Sequence, residues 1–160
     1  MAQDMFLKID DIKGESSDHA HKGEIDVLSW SWGATQSGSA HVGGGAGSGK
    51  VHVQDLTVTR HTDRATPVLF GMCASGKHIK QAVLTIRKAG EKPLEYIKVT
   101  MSNCIVTSIS FGGAGDGEKQ TENLSLNFGS VKYEYTPQKA DGSGEAVVTT
   151  GWDIAGNKSV

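Results

Sequence analysis

The sequence predicts an all-β protein, a compact barrel or sandwich of about seven or eight strands. Three observations lead to this class. Short apolar runs recur along the 160 residues, many of the 21 glycines lie between those runs, and only one segment has a good helical pattern. The length of 160 residues predicts one domain, residues 1–160, and the hydrophobic share of 37% predicts a thin core.

The first strands are predicted from short apolar runs. Residues 5–9 form one run, and residues 24–32 form a second whose end alternates between apolar and polar side chains. Because alternate residues of a strand face opposite sides, Ser29 and Ser31 share the face opposite the tryptophans. We expect that face to be wet or to form an interface. The face predicted to be buried carries Leu28, Trp30 and Trp32.

The later strands follow the same logic. In residues 123–135 the apolar phase changes at Gly129, which predicts a bulge or bend. Residues 94–101 and 104–111 form either two strands or one strand bent near Ser102 and Asn103. Alternation also places Thr85 and Arg87 at wet or interface positions. The remaining predicted strands are residues 51–60, 81–88 and 146–154.

One short helix, about residues 66–76, is predicted beside the strands. Thr66 can cap its start, and Pro67 takes the favoured first position. Gly76 supplies a left-handed stop. The helix has an apolar stripe that consists of Val68, Leu69, Met72 and Cys73.

The segment 33–50 is an extended Gly-rich loop, GATQSGSAHVGGGAGSGK, with Val42 as its only sizeable aliphatic residue. A loop of this length is unusual in a compact domain and is often functional. Residues 44–50 match the Gly-x-x-x-x-Gly-Lys part of a phosphate-binding loop. However, Val51 replaces the required Ser or Thr, and a strand-like run follows where a helix is needed. We interpret the segment as a flexible assembly loop.

No catalytic, cofactor or metal site is predicted. The six histidines are not spaced with cysteines or carboxylates in a familiar ligand pattern. Ser143 lies in a polar loop without the strand-to-helix turn of a nucleophile elbow. Cys73 and Cys104 are interpreted as reduced, buried thiols, because two cysteines are too few for a disulfide framework.

Charge and hydropathy exclude further classes of partner. The formal net charge is −2, so no basic excess is available to hold a nucleic-acid backbone. Residues 1–10 lack the apolar core of a signal peptide. No stretch approaches the roughly 20 apolar residues that span a bilayer. We therefore expect synthesis in the cytoplasm and no membrane insertion, which is compatible with later export by a machine that needs no signal peptide.

An ordered series of short motifs runs along nearly the whole chain. Its members are residues 5–9 (MFLKI), 14–16 (GES), 25–33 (IDVLSWSWG), 53–56 (VQDL), 75–78 (SGKH), 84–90 (LTIRKAG), 121–124 (TENL), 136–142 (TPQKADG) and 151–152 (GW). Such a series is more specific than any single motif, and it resembles the Hcp (haemolysin-coregulated protein) family of type VI secretion.

This resemblance implies a β-barrel with a flanking helix that forms homohexameric rings. The rings would stack into the inner tube of a bacterial secretion machine, and sheath contraction would expel the tube together with spike-tip proteins. The bore would carry small effector proteins, with Ser29 and Ser31 toward it. The resemblance assigns protomer and ring contacts to Gln36, Ser37, Ser39, His41, Gly43, Gly44, Gly45, Ser48 and Lys50.

Two other functions are weighed against the tube. A ring could act mainly as a chaperone or receptor that binds exported effectors. An enzyme with dispersed residues would instead require a deep pocket with perturbed titratable groups inside one protomer.

Overall fold

The computed structural model describes residues 3–38, 50–117 and 119–160, and within them it confirms a mostly β protein with one short helix. The elements in chain order are β1 (Gln3–Ile9), β2 (Ile25–Asp26), β3 (Ser29–Ser31), β4 (Ala34–Thr35), β5 (His52–Val53), β6 (Leu56–His61), α1 (Ala65–Ser75), β7 (Ile79–Lys88), β8 (Leu94–Gly112), β9 (Thr121–Tyr135), β10 (Val148–Asp153) and β11 (Lys158–Ser159).

The strands form a large antiparallel sheet in which β9 is the central member. Along one path the order is β11-β10-β9-β8-β7-β1-β2, and β6 pairs with both β9 and β3. The first half of β9 lies between β6 and β8, and its second half lies between β10 and β8. Residues 25–31 lead from β1 to β6 in two short pieces. Among the described strands no ladder joins β1 directly to β6.

The sheet bends along a line that crosses β8 and β9. Asn103 has a left-handed φ of 54°, and it lies opposite Gly129 between the pairs Ser102–Ser130 and Cys104–Phe128. The buried phase changes on both strands at this line. The predicted bend at Gly129 is confirmed, and residues 94–112 form one bent strand.

The helix begins one residue earlier than the sequence suggested. Asp63 rather than Thr66 satisfies its first turn, since Asp63 Oδ1 accepts a hydrogen bond from the Ala65 N–H at 2.8 Å. The Thr66 hydroxyl instead donates to Glu122 Oε2 at 2.9 Å. Gly76, with φ 66°, ends the helix as predicted.

The predicted strand 24–32 is interrupted, which changes which side chains are buried. Val27 is buried, whereas Leu28, assigned to the buried face, is 45% exposed. The chain leaves β1 at this point and joins β6: the Val27 N–H donates to Met5 O and the Leu28 N–H to Thr59 O. The change of partner breaks the two-residue alternation. Trp30 and Trp32 are half-buried and pack against the core.

Candidate assembly surface

Four strands, β3, β6, β9 and the second half of β8, present two rows of small polar side chains on one face. We call this surface the polar leaf. Each row follows the cross-strand pairing, which sets directly opposite residues on the same face. The first row is Ser29, Thr59, Asn123 and Ser110, and the second is Ser31, Thr57, Ser125 and Ser108.

Hydrogen bonds run along these rows from strand to strand. Thr59 Oγ1 donates to Asn123 Oδ1 at 2.7 Å, and the hydroxyls of Thr57 and Ser125 are 3.0 Å apart. Beyond the second row Asp55 accepts from Thr107 Oγ1 at 2.6 Å and from Asn127 Nδ2 at 2.9 Å. The two rows themselves contain no ionisable side chain, and all their side chains are short. The surface is therefore polar and uncharged.

The local sequence explains why both rows face outward. In β6 and in residues 121–128 of β9, buried residues alternate with the residues of the two rows, and Leu56, Val58, Leu124 and Leu126 are among the buried ones. In β8 a register shift between Val106 and Ser108 adds one residue, so Thr107 and Ser108 are both exposed. Alternation in residues 121–128 was visible in the sequence. The cross-strand neighbours that join Ser29 and Ser31 to it were not.

Both outer edges of the polar leaf are open in the isolated chain. Within the described residues β3 pairs only with β6, and residues 105–112 of β8 pair only with β9. An open edge presents unpaired backbone N–H and C=O groups that can pair with another chain. Since the two edges belong to different strands, a contact between them would join unlike surfaces of two copies.

An exposed aromatic pair lies at the end of the β8 edge. The rings of Phe70 on α1 and Phe111 on β8 have centroids 6.2 Å apart, and the two residues are 55% and 54% exposed. Val68 on the same helix is 47% exposed. The helical stripe predicted to be buried therefore keeps Leu69 in the core but leaves Val68 outside. Apolar exposure of this kind next to an open edge suits a protein interface.

The predicted loop residues divide between described and undescribed parts of the chain. Gln36, Ser37 and Lys50 are exposed, and the Ser37 N–H donates to Gln36 Oε1 at 3.1 Å. The base of the loop is the short hairpin β4–β5, in which Ala34 and Thr35 face Val53 and His52. Ser39, His41, Gly43, Gly44, Gly45 and Ser48 lie outside the described residues.

An apolar cavity of about 310 Å³ lies at the base of this loop. The indole N–H groups of Trp32 and Trp152 are buried and have no hydrogen-bond partner among the described residues. Trp32 stacks on Tyr133 with ring centroids 6.2 Å apart. No local pattern predicts this cavity, because its lining joins β9 and β10 to residues distant in the chain.

The described residues give little support to a metal site or to a nucleophilic cysteine. In that part of the chain no three His, Cys, Asp or Glu side chains converge in a way that could hold a metal. Burial raises the pKa of the Cys104 thiol to about 11, which opposes a nucleophilic role. Within residues 3–38, 50–117 and 119–160 no helix is long and apolar enough to cross a membrane.

Comparison with known proteins finds relatives that match this chain over nearly its whole length. Residues 6–135 match the family model described as type VI secretion system effector, Hcp. Protein hcp1 of Pseudomonas aeruginosa is 55% identical over 159 residues, which is 98% of each chain. The crystal structure of Hcp1 from Salmonella typhimurium is 46% identical, covers 100% of both chains and superposes with a TM-score of 0.84.

A second solved structure, described as a type six secretion system protein, is 26% identical and covers 99% of this chain and 100% of its own. Its TM-score of 0.93 shows that the whole fold is shared. These matches confirm the resemblance found in the sequence motifs, and they identify a structural, non-enzymatic secretion family. The chain belongs to the Hcp family of type VI secretion proteins.

Proposed function

We propose that this chain is the structural subunit of the inner tube of type VI secretion. Six copies form a closed ring, rings stack into a tube, and contraction of the sheath expels the tube with effectors in its bore. The observation that carries the proposal is the polar leaf with its two open edges. Family membership supports a secretion role for the chain.

Ring closure follows from joining unlike edges. The β8 edge of one copy pairs with the β3 edge of the next, and this head-to-tail contact gives a closed ring when its rotation divides a full turn. Pairing also removes both open edges, which otherwise favour aggregation. The polar leaves then form one continuous wall, and Phe70 and Phe111 lie close to each junction.

The inner surface of that wall is the polar leaf. Small hydroxyl and amide side chains keep the bore hydrated, and the absence of ionisable groups from its two rows prevents strong adhesion of charged cargo. Ser29 and Ser31 lie on this wall and contact effectors. A bore of this kind suits transport, because cargo must be held and also released.

Contacts between stacked rings are assigned to the Gly-rich loop. Gln36, Ser37 and Lys50 are exposed at its base, and the remaining proposed contacts are Ser39, His41, Gly43, Gly44, Gly45 and Ser48. Deletion of residues 38–48 is expected to preserve rings and abolish stacking. Rings at the ends of the tube meet the spike-tip proteins, and its outside meets the sheath. The chain is synthesised in the cytoplasm and leaves through this machine.

The first test is the molar mass in solution, measured by light scattering after size exclusion at two protein concentrations. The expected value is near six times 16.9 kDa. A monomer at both concentrations would contradict the proposal, because the open edges would then remain unpaired under conditions that allow assembly.

A cysteine experiment tests which edges meet. In a Cys73→Ser background, a chain with Ser31→Cys and Ser108→Cys carries one thiol on each edge of the second row. Three strand spacings of about 4.8 Å separate them by about 14 Å within one chain. A disulfide needs Cα atoms about 4.4–6.8 Å apart, so bonds can form only between copies. We expect an oxidised ladder that ends at six chains.

The matched control replaces the edge position with one in the middle of the same row. Ser31→Cys with Ser125→Cys has one thiol on an edge and one on the central strand β9. It is expected to give no ladder. Equal ladders from the two proteins would show that oxidation reflects random collision rather than edge pairing.

The second candidate function, a ring that serves chiefly as an effector chaperone, draws on the exposed serines of β3. Ser31→Gln places a longer side chain on the wall and keeps the backbone N–H and C=O groups of the β3 edge. Loss of effector co-purification with the ring mass unchanged would support cargo binding at this position. Unchanged co-purification would remove Ser31 from the contact surface.

A further inference from the structure

Residues 13–24 cover the face of the sheet formed by β1, β7 and the start of β8, on the opposite side from the core. We call this segment the clasp. It has its own backbone hydrogen bonds, from Gly14 N–H to Gly23 O at 2.8 Å and from Ser16 N–H to Glu24 O at 2.9 Å. These bonds join the two arms of the segment, and Glu15 Oε2 accepts a further hydrogen bond from the Arg64 N–H at 2.7 Å. Two side chains, Asp18 and His21, attach it to the sheet.

His21 is held between two carboxylates. Its Nδ1 is 2.9 Å from Glu24 Oε2, and its Nε2 is in hydrogen-bond contact with Glu95 Oε1 on β8. The ring also stacks on Phe6 of β1, with centroids 4.3 Å apart and an interplanar angle of 12°. His21 is only 8% exposed, and the side chain of Glu24 is 15% exposed, whereas that of Glu95 is 47% exposed.

The donor count decides which form of His21 fits this site. Ionised carboxylates only accept hydrogen bonds, and a neutral imidazole has a single N–H donor. Neutral His21 can therefore satisfy one carboxylate and must present a lone pair to the other. The imidazolium, with two N–H donors, satisfies both and adds two charge-assisted bonds.

We infer that the clasp is controlled by a proton: charged His21 docks residues 13–24 on the sheet, and loss of the proton loosens them. The inference rests on contacts within one chain, and it stands independently of ring formation.

Other charged groups surround His21 from each packed element. Lys8 and Asp10 of β1 and Lys98 of β8 line the same small cavity, and Arg87 of β7 lies 5.1 Å from the Phe6 ring on which His21 stacks. Burial by itself would lower the pKa of His21. The hydrogen bonds and charges of Glu24 and Glu95 outweigh it and raise that pKa above its usual 6.5.

The direction of the pH effect follows from linkage. Because the pKa of His21 is higher in the docked state, its stabilising contribution is fully present below pH 6.5 and is lost as the pH rises through the raised value. The second attachment does not change over this range. Arg87 donates to Asp18 at 2.6 and 2.9 Å and lowers the pKa of Asp18 to about 2.

Hydrogen exchange of the full chain, followed by mass spectrometry at about pH 5.5 and about pH 8.5, tests the clasp. Protection factors, corrected for intrinsic exchange, should fall in residues 13–24 and stay constant in β8 and β9. The fall should be about tenfold for each unit by which the pKa of His21 exceeds 6.5. Exchange of the His21 C2 proton gives that pKa in the same samples.

Three variants make the result specific. His21→Gln should remove the pH step, and Glu95→Gln should reduce it, because the second carboxylate is lost. His19→Gln alters an exposed histidine of the same segment and should keep the step. A step that persists in His21→Gln, equal protection of the wild type at both pH values, or a His21 pKa at or below 6.5 would overturn the inference.

Discussion

The polar leaf and the face under the clasp belong to the same sheet, yet they use polar side chains in opposite ways. On the leaf, Ser31 and Thr57 are small, uncharged and partly or fully exposed. Under the clasp, Thr85 is 5% exposed and Arg87 is engaged by both Asp4 and Asp18. One face remains available to neighbouring copies, and the other is already covered by the chain itself.

This difference shows that polar alternation in a strand does not by itself mark a wet surface. The sequence pattern placed Thr85 and Arg87 with Ser29 and Ser31, and for Thr85 that expectation was wrong. The cause is the clasp, whose polar residues 13–24 contain no strand signal. It folds over the sheet because paired charges and the stacking of His21 on Phe6 offset the cost of covering polar groups.

Stability should fall most when the buried ion pair beneath the polar leaf is broken. Arg60 and Glu122 pair with no exposed side-chain surface on either partner. Glu122→Ala leaves the buried guanidinium with Asp63 as its remaining carboxylate partner and should lower the free energy of unfolding by about 3–5 kcal/mol. Denaturant unfolding measures this change.

The control for that substitution is Glu134→Ala. Its partner Lys132 lies 3.9 Å away with a 54% exposed side chain, so a change of only about 0–1 kcal/mol is expected. If Glu122→Ala lowers the free energy of unfolding as little as Glu134→Ala does, the stability of the protein does not depend on the buried pair beneath the polar leaf.

A smaller loss of stability is expected for a substitution at the base of the clasp. A Cβ on Gly14 would lie 2.5 Å from the backbone O of Glu24, so the two arms of the segment would have to separate. Gly14→Ala should cost about 1–3 kcal/mol of unfolding free energy, as overpacking does elsewhere. Gly115→Ala, where nothing lies within 4 Å, is the control and should have little effect. No difference between them would indicate that the clasp adapts without strain.

The smallest loss of stability is expected for a substitution on the polar leaf itself. Thr57→Val keeps the shape of the side chain and removes its hydrogen bond to Ser125. Because the site is partly solvated, thermal unfolding should report a loss of about 1 kcal/mol or less. Thr149→Val serves as the comparison, because Thr149 is exposed and its hydroxyl makes no hydrogen bond within the described part of the chain. A loss above about 2 kcal/mol at Thr57 would mean that the row is structural rather than a free surface.

Elements whose signals are local were predictable from the order of residues alone. Alternation identified β7 and β9, Gly76 ended the helix, and the change of phase at Gly129 located the bend. Motif order also indicated the family before any fold was known. Such features depend on neighbouring residues along the chain, so one sequence is enough to read them.

Contacts between distant segments, by contrast, were visible only in the folded chain. It broke the predicted strand at Val27 and Leu28, joined Ser31 through Thr57 and Ser125 to Ser108, and laid the clasp over Thr85. The physical reason is that pairing between distant strands is set by the packing of the whole sheet. A local pattern gives the face of a side chain, whereas its neighbours on that face come from segments dozens of residues away.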